Sequence, residues 1–428
     1  MIRQSRINRD ERTVVKKILI THFPGLDNYG TGMMGLVLTQ YLMDHFGSDL
    51  EIHADFPRDE TIDVVRGELD GSVVFKRFAP SSSKPTLTRM QKMIAQGFEF
   101  LTARSLREYD LKIVLGGDDL SEYYGSILKE LLYMWRSHFV CPILLLGQTI
   151  GPFRKRLNRF FIKRVLPSLH VVVRDSWCHS YLRDEMGIKS IIQGADLAFC
   201  DLPRQSDSII EKDVLQKYGL EKNEYCTLII SGLQKNGYYC KDQSVYLGAW
   251  KQLLEKLSGI TALANKKFCL LAHTFGWYGD EKEYCESLYK TLPDTLKEKI
   301  VLVTDKILPL KARFILGNGL FTITGRMHAS VSSFQMGTPA IVLSYSQKYD
   351  GVIGERLGRN DLILDANEEA LWTTGKIVDL IEDKTKYVLN NYDQLKTEIM
   401  EKAAIQKSMA IQSLDIVSSL LNKGIRQI

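Results

Sequence analysis

The run Gly325-Arg326-Met327-His328 follows a strand-like apolar segment, Leu320–Thr324. Arginine presents a planar fork that grips a carboxylate or phosphate at two points. Histidine moves protons near neutral pH. One residue apart, both side chains can face one way if Met327 turns inward to join Val331, four residues on, in the core. Gly325 is expected to let the backbone turn sharply out of the strand. A helix opening at Arg326–Ala329 would add backbone donors and a dipole that favours phosphate. The chemistry within reach is therefore anion binding coupled to acid–base catalysis.

Other polar residues recur where strands should end. Gly116-Gly117-Asp118-Asp119 follows Leu111–Leu115, and Gly147-Gln148-Thr149 follows Leu144–Leu146. Arg174-Asp175-Ser176 follows His170–Val173, and Asp196 sits in Gly194–Phe199. His273-Thr274 follows Phe268–Ala272, while Lys348 and Gly351 lie beyond Ala340–Tyr345. Each has a plain structural alternative. Gly-Gly pairs make turns, Asp175-Ser176 can cap a helix, Asp196 can hold a loop, and His273 can be a satisfied strand-end histidine. In open α/β sheets, however, ligands bind beyond the carboxyl ends of the strands, so the recurrence itself points to a site.

Gly30, Gly32 and Gly35 spell G-x-G-x-x-G, with Asp55 some way downstream. A dinucleotide fingerprint needs its first glycine in the turn directly after the strand. Here Pro24–Tyr29 intervene. The glycines read instead as a loop and close helix packing, with Asn28 and Tyr29 facing the cleft, and no dinucleotide cofactor is expected.

Short β-branched runs must position these residues. Lys16–Phe23, Leu50–Asp55, Leu111–Leu115, Pro142–Leu146 and His170–Arg174 form one set. Thr227–Ser231, Phe268–His273, Ile300–Thr304, Leu320–Thr324 and Ala340–Tyr345 form another. Near-continuous apolar character is what parallel strands covered on both faces require. Helix-like stretches such as Leu87–Leu106, Glu122–His138 and Ser176–Met186 alternate with them, and Ser81–Ser83 marks a loop. The polar stretch Asp201–Asn223 reads as a linker. The pattern predicts an α/β protein of two doubly wound domains facing a cleft. An N-terminal Rossmann-like domain over 1–205 would form the acceptor side, a second over 206–367 the donor side, and helices follow over 368–428.

With 428 residues, two domains are the natural expectation. Apolar residues make up 45% and charged residues 25%, the balance of an ordinary globular protein. A net charge of +5 is too small to imply nucleic acid and suits a handler of small anions. Seven scattered cysteines with no C-x-x-C pair argue for buried thiols in a reducing compartment, against a disulfide framework or zinc site. No metal site is expected. The polar start, Met1–Lys17, lacks a signal-type apolar run, and no run of about 18 apolar residues occurs. A cytoplasmic location is expected.

Four segments resemble, in order, the motif series of polysaccharide pyruvyl transferases. They are GQTIGPF (Gly147–Phe153), VVRDSWCHSYL (Val172–Leu182), GADLAF (Gly194–Phe199) and the long segment Gly325–Gly358. The resemblance runs from about Lys17 to Gly358. It implies two Rossmann-like domains similar to the B-type glycosyltransferase architecture, phosphoenolpyruvate as donor substrate, and a pyruvate ketal formed on a hexose of a surface-polysaccharide precursor. By it, His328 and Arg326 are catalytic. Around that pair, from their places in the sequence alone, Arg174, His273, Gly325 and Lys348 are expected to bind the donor, and Asn28, Tyr29, Gly116, Gly117, Asp118, Gln148 and Asp196 to line the acceptor side or the cleft. The chain departs from the usual pattern at Thr31, where members often carry an acid, and in the Gly116–Asp119 loop; both bear on the acceptor more than the donor.

Two other readings stay open from the residues alone. One is a nucleotide-sugar-dependent glycosyltransferase of the same architecture; the other is a non-catalytic glycan-binding protein. The segment Arg154–Arg164 (RKRLNRFFIKR) is basic with interleaved aromatics. On a helix, Lys155, Arg159 and Lys163 share one face, with Leu157, Phe160 and Phe161 largely opposite. This is either a solvated basic face over a core-packed one, or a contact for anionic lipid headgroups or a lipid-linked acceptor's pyrophosphate at the inner face of the cell membrane.

Overall fold

The computed structural model describes residues 15–78, 88–122, 126–276 and 279–422. The loop expected at Ser81–Ser83 lies outside these. Two all-parallel sheets carry the architecture. The first has strand order β3-β2-β1-β4-β5-β6-β7, built from β1 (Lys16–Thr21), β2 (Leu50–Ala54), β3 (Val74–Arg77), β4 (Leu111–Leu115), β5 (Ile143–Gln148), β6 (His170–Val173) and β7 (Ile191–Gln193). The second has order β10-β9-β8-β11-β12-β13, from β8 (Tyr225–Ile229), β9 (Lys267–Leu271), β10 (Ile300–Val303), β11 (Thr322–Thr324), β12 (Ala340–Ser344) and β13 (Ile363–Asp365). Every residue of β4, β5, β8 and β12 is buried, because helices cover both faces of each sheet. Edge strands β3, β7, β10 and β13 are short and partly exposed. Strands β3, β7 and β13 escape sequence reading for that reason.

In both sheets the strand order reverses beside the first strand, between β1 and β4 and between β8 and β11. The loops leaving these neighbours diverge and leave a crevice at their carboxyl ends.

The glycines of the G-x-G-x-x-G run are explained by packing on the helix Tyr29–Phe46. A Cβ on Gly30 would fall 2.3 Å from His328 Nδ1, and one on Gly35 would fall 2.2 Å from the Phe23 ring. Asp55 accepts the backbone N–H groups of His22 and Phe23, at 2.8 and 3.0 Å, and so caps the end of β1.

Two expectations are corrected. The stretch 201–223 is not a bare linker. It contains the helix Ser208–Lys217, capped by Asp207 and packed on the helix Pro309–Asn318. Only Val214 of that helix is fully buried, which is why its sequence looks polar. The last helices pack against both domains. Lys376–Asn390 packs on the helix Gln243–Ser258 of the second domain, and Tyr392–Asn422 crosses back to the first. Tyr41 donates to Asp415, and Lys407 pairs with Asp201. Finally, the helix Arg156–Val165 buries Asn158, Ile162 and Val165, leaving Leu157 and Phe160 in solvent. Asn158 can be the inward residue because Glu122 accepts its amide at 2.7 Å.

Arg313 joins the two domains. Fully buried on the second, it donates to the carbonyls of Ala198 and Cys200 on the first, at 2.7 and 2.8 Å. All seven cysteines are free and buried, and burial pushes the Cys141 and Cys200 thiols up to about 12, so they are poor nucleophiles. Among the described residues, no helix is long and apolar enough to cross a membrane.

Candidate active site

Both strand-order reversals open onto one cleft of ≈ 1060 Å³ between the domains. The segments after β1 and β9 meet across it. Asn28 bridges to Thr274 as a short antiparallel pair, Tyr29 N–H donates to His273 O at 3.3 Å, and Phe275 N–H to Asp27 O at 2.9 Å.

On the second domain, β11 runs into Gly325 and the helix Met327–Gln335. Gly325 is required by closeness, not by a sharp turn, since its φ is not in the left-handed region. A Cβ there would lie 2.5 Å from the Tyr239 hydroxyl. The Gly325 carbonyl accepts from Tyr239 at 2.9 Å and Tyr349 at 2.7 Å. Arg326 caps the helix in an extended conformation, its N–H donating to Thr324 Oγ1 at 2.9 Å. Met327 and Val331 join the core, and both Arg326 and His328 line the cleft.

Arg326 Nε is bonded to Glu281, a fully buried carboxylate at the start of the helix Glu281–Thr291. The other Glu281 oxygen accepts from the backbone N–H groups of His273 and Thr274, at 2.9 and 3.0 Å. One carboxylate thus ties the guanidinium to the strand-end loop that carries His273. Burial works against the Arg326 charge, but Glu281 more than offsets it, so its pKa lies above the ordinary value. His273 is buried, and among the described residues neither of its ring nitrogens has a hydrogen-bond partner. Burial, with Arg326, His328 and Arg313 nearby, holds its pKa well below the usual histidine range. It is a neutral ring bordering the cleft.

On the first domain, Arg174 is held by Thr149 at 2.9 Å through Nε and by Asp196 at 2.9 Å through Nη1. The same Asp196 oxygen lies 3.3 Å from His328 Nε2, a close approach rather than a well-formed hydrogen bond. Asp196 therefore links an arginine of one domain to the histidine of the other. Burial opposes its charge, but His328, Arg174 and the Ala198 N–H together hold it well below the carboxylate range. Lys348 reaches from the second domain to Asp118 at 3.1 Å and Tyr345 Oη at 2.7 Å. Burial opposes its charge too, and Asp118 and Tyr345 raise its pKa.

Asn28, Gly116, Gly117, Asp118, Arg174, His273, Arg326, His328 and Lys348 line the cleft. Tyr29, Gln148, Asp196 and Gly325 stand behind its wall. Tyr29 is buried, accepting the Leu308 N–H at 3.2 Å, and Gln148 donates to the Leu115 carbonyl at 2.8 Å. Gly116 and Gly117 serve closeness: Cβ atoms there would lie 2.4 Å from the Gly147 carbonyl and 2.5 Å from Asp119. Asp175 plays its helix-capping part, accepting the Cys178 N–H at 2.7 Å and the Thr149 hydroxyl at 2.8 Å.

Sequence reasoning missed Glu281, and it missed His22 with Asp119. His22 has φ 62, unusual for a residue with a side chain, and its Nδ1 lies 3.0 Å from Asp119. Burial lowers its pKa, but Asp119 and Asp55 overcome this and leave it raised. The strand-end rule that singled out His273 applies equally to His22. Glu281 carries no such signal, because an acid opening a helix is common on dipole grounds alone.

Fold and cleft define a class first: two Rossmann-like doubly wound domains facing a cleft, as in B-type glycosyltransferases. UDP-GlcNAc 2-epimerase from Neisseria meningitidis, bound to UDP-GlcNAc, matches with a TM-score of 0.58 at 11% identity, over 95% of this chain and 100% of that one. MnaA from S. aureus, in complex with UDP, matches with a TM-score of 0.57 at 12% identity, over 95% and 97%. At such identities the likeness is one of fold. The family follows from sequence: the polysaccharide pyruvyl transferase profile matches residues 28–347, and the chain belongs to that family. Amylovoran biosynthesis protein AmsJ of Erwinia amylovora is 22% identical over 309 residues, 69% of this chain and 69% of that protein.

Proposed function

We propose that the protein transfers the pyruvyl group of phosphoenolpyruvate onto two hydroxyls of a hexose in a surface-polysaccharide precursor, forming a pyruvate ketal. Family membership supports the pyruvyl group, and the relation to an amylovoran biosynthesis protein supports a polysaccharide setting. The observation that carries the donor is the convergence of Arg174, Arg326 and Lys348 on one cleft, each steadied by a carboxylate: Asp196, Glu281 and Asp118. Phosphoenolpyruvate brings a carboxylate and a phosphate, and prepositioned cations suit both.

The chemistry needs few parts. An acid protonates the methylene carbon, making the enol carbon oxocarbenium-like. A sugar hydroxyl attacks that carbon and gives up its proton. Phosphate departs, and a second hydroxyl closes the ketal. Two hydroxyl protons are lost; one is balanced by the new methyl group and one by the leaving phosphate. His328 is the acid–base group in this reading, oriented by Asp196, and Arg326 and Arg174 hold the donor. In the same reading His22, with Asp119 beside it on the cleft wall, takes a hydroxyl proton. The donor itself supplies the reactive group, so no further cofactor is required.

The test is incubation with phosphoenolpyruvate and nitrophenyl hexosides, read by mass spectrometry and phosphate release. The expected result is a gain of one pyruvylidene unit with one phosphate freed per acceptor. Consumption of a nucleotide sugar instead, with glycosyl gain, would overturn the proposal in favour of a glycosyltransferase.

A further inference from the structure

Helix Arg89–Thr102 has no buried residue, yet its apolar side chains recur at three- and four-residue spacing. Met90, Met93, Ile94, Phe98 and Leu101 form one stripe, each more than half exposed. An amphipathic helix normally turns such a stripe to the core. Here the stripe faces solvent. The neighbouring helix Leu128–Ser137 is joined to it by Arg136, whose Nε donates to Leu101 O at 2.8 Å, and by the stacked Phe100 and Tyr133 rings. It adds exposed Trp135, with Phe139 just beyond. Helix Arg156–Val165 packs next in line and contributes exposed Leu157 and Phe160. These helices lead successively into β4, β5 and β6 in the same direction across the sheet, so right-handed crossovers place all three on one face.

The same three segments are strongly basic. Residues 88–102, 126–137 and 154–165 contain ten lysines and arginines against two acids, Glu99 and Glu130. The whole chain carries a net +5, so this face holds more positive charge than the rest of the molecule leaves uncancelled. Arg164 lies over the Phe160 ring, 4.4 Å from its centroid.

We propose that this three-helix face docks on an anionic phospholipid bilayer, with its aromatic and aliphatic side chains at the headgroup–acyl boundary and its basic residues among the phosphates. Exposed Phe, Trp and Leu interleaved with Lys and Arg, with few acids, is the composition that such a surface binds. A second copy is the poorer occupant, since a two-fold contact would press this positive face against itself. Docking also serves the site. Helices Leu128–Ser137 and Arg156–Val165 begin just after the carboxyl ends of β4 and β5, where the cleft opens. Glu122, in the loop after β4, accepts the Arg154 and Lys155 N–H groups at 2.9 and 3.0 Å. If the acceptor is the sugar precursor proposed above, a lipid-borne form would reach the cleft from the plane of the membrane. The docking itself does not depend on that reading.

The experiment is vesicle co-sedimentation of the full chain with phosphatidylglycerol–phosphatidylethanolamine or with phosphatidylcholine alone. Salt-sensitive binding to the first and not the second is expected. Adding the anionic vesicles should shift emission to the blue, and the shift should be lost in Trp135→Phe while binding persists. Ile94→Asp combined with Phe98→Asp should abolish binding. Arg159→Gln combined with Lys163→Gln should weaken it by roughly thirtyfold. Both pairs are exposed, so melting temperature and turnover on a water-soluble acceptor should match wild type. Equal sedimentation with phosphatidylcholine, or wild-type binding by either variant, would overturn the proposal. So would a lipid-free dimer that Ile94→Asp with Phe98→Asp converts to monomer, because the face would then be covered by a second copy. Failure of phosphoenolpyruvate as donor would leave the sedimentation result unchanged, so the two proposals fail separately.

Discussion

Replacing Glu281 by Gln is the sharpest test of how the cleft is held. The carboxylate is fully buried and satisfies three donors: Arg326 Nε and the backbone N–H groups of His273 and Thr274. A glutamine has one oxygen and one NH2 group in the same space. Whichever way it turns, an NH2 faces an N–H donor, and the Arg326 charge loses its counter-ion. Breaking a buried ion pair from one side costs about 3–5 kcal/mol. For a domain of this size, about 1 kcal/mol moves Tm by roughly 2–4 °C, so a fall on the order of 10 °C is expected. Removing both charges, as Glu281→Gln with Arg326→Met, leaves the glutamine oxygen to accept the His273 and Thr274 N–H groups and strands no charge, so it should cost less than Glu281→Gln alone. The assay is thermal and urea unfolding of the single and double variants, with KM for phosphoenolpyruvate measured in parallel. Saturating donor should recover part of the Glu281→Gln loss, because an anion bound beside Arg326 replaces the missing charge. A Glu281→Gln protein as stable as wild type, or less affected than the double variant, would refute the anchoring role.

Other outcomes follow from the same geometry. His328→Ala should lower turnover by roughly a hundredfold to ten-thousandfold in steady-state kinetics while largely sparing donor binding; near-native turnover would remove His328 from the acid–base role and leave His273 as the next candidate. Arg326→Lys keeps the charge but loses the fork and the Nε contact to Glu281, so donor use should fall as if the change were not conservative. Gly30→Ala places a methyl group on the His328 ring and should cut turnover, whereas NAD(P) should cause no thermal shift in the wild type; saturable NAD binding would overturn the packing account of the glycine run. Asp196 has a depressed pKa in the fold, so its contribution to stability is present above about pH 4 and lost as pH falls further. Asp196→Asn should therefore lower Tm at neutral pH, and the gap to wild type should narrow on acidification. The neutral His273 works in the same direction at higher pH: stability should decline as pH drops below about 6.5, and His273→Asn should flatten that decline.

Taken alone, the sequence determined the layered α/β pattern and the edge at which chemistry gathers. LKIVL, PILLL and HVVVR read as strands covered on both faces, because a solvent-facing strand alternates and these runs are short and rich in β-branched or aliphatic residues. Polar residues directly after such strands must lie at the carboxyl edge, which is why Arg174, His273, Arg326 and His328 were legible before any coordinate. Periodicity also showed which residues of Arg154–Arg164 share a helix face. It could not say which face the body covers, since that depends on Glu122 reaching Asn158 from a distant loop. Nor could it place Tyr29, Gln148, Asp196 and Gly325 behind the wall rather than in it, or make Glu281 the partner of Arg326 across 45 residues of chain. Local patterning encodes the direction a side chain leaves its own element. Which groups meet, how deeply they are buried and what charge they then keep are properties of two domains closing on one cleft, and only the tertiary structure decides them.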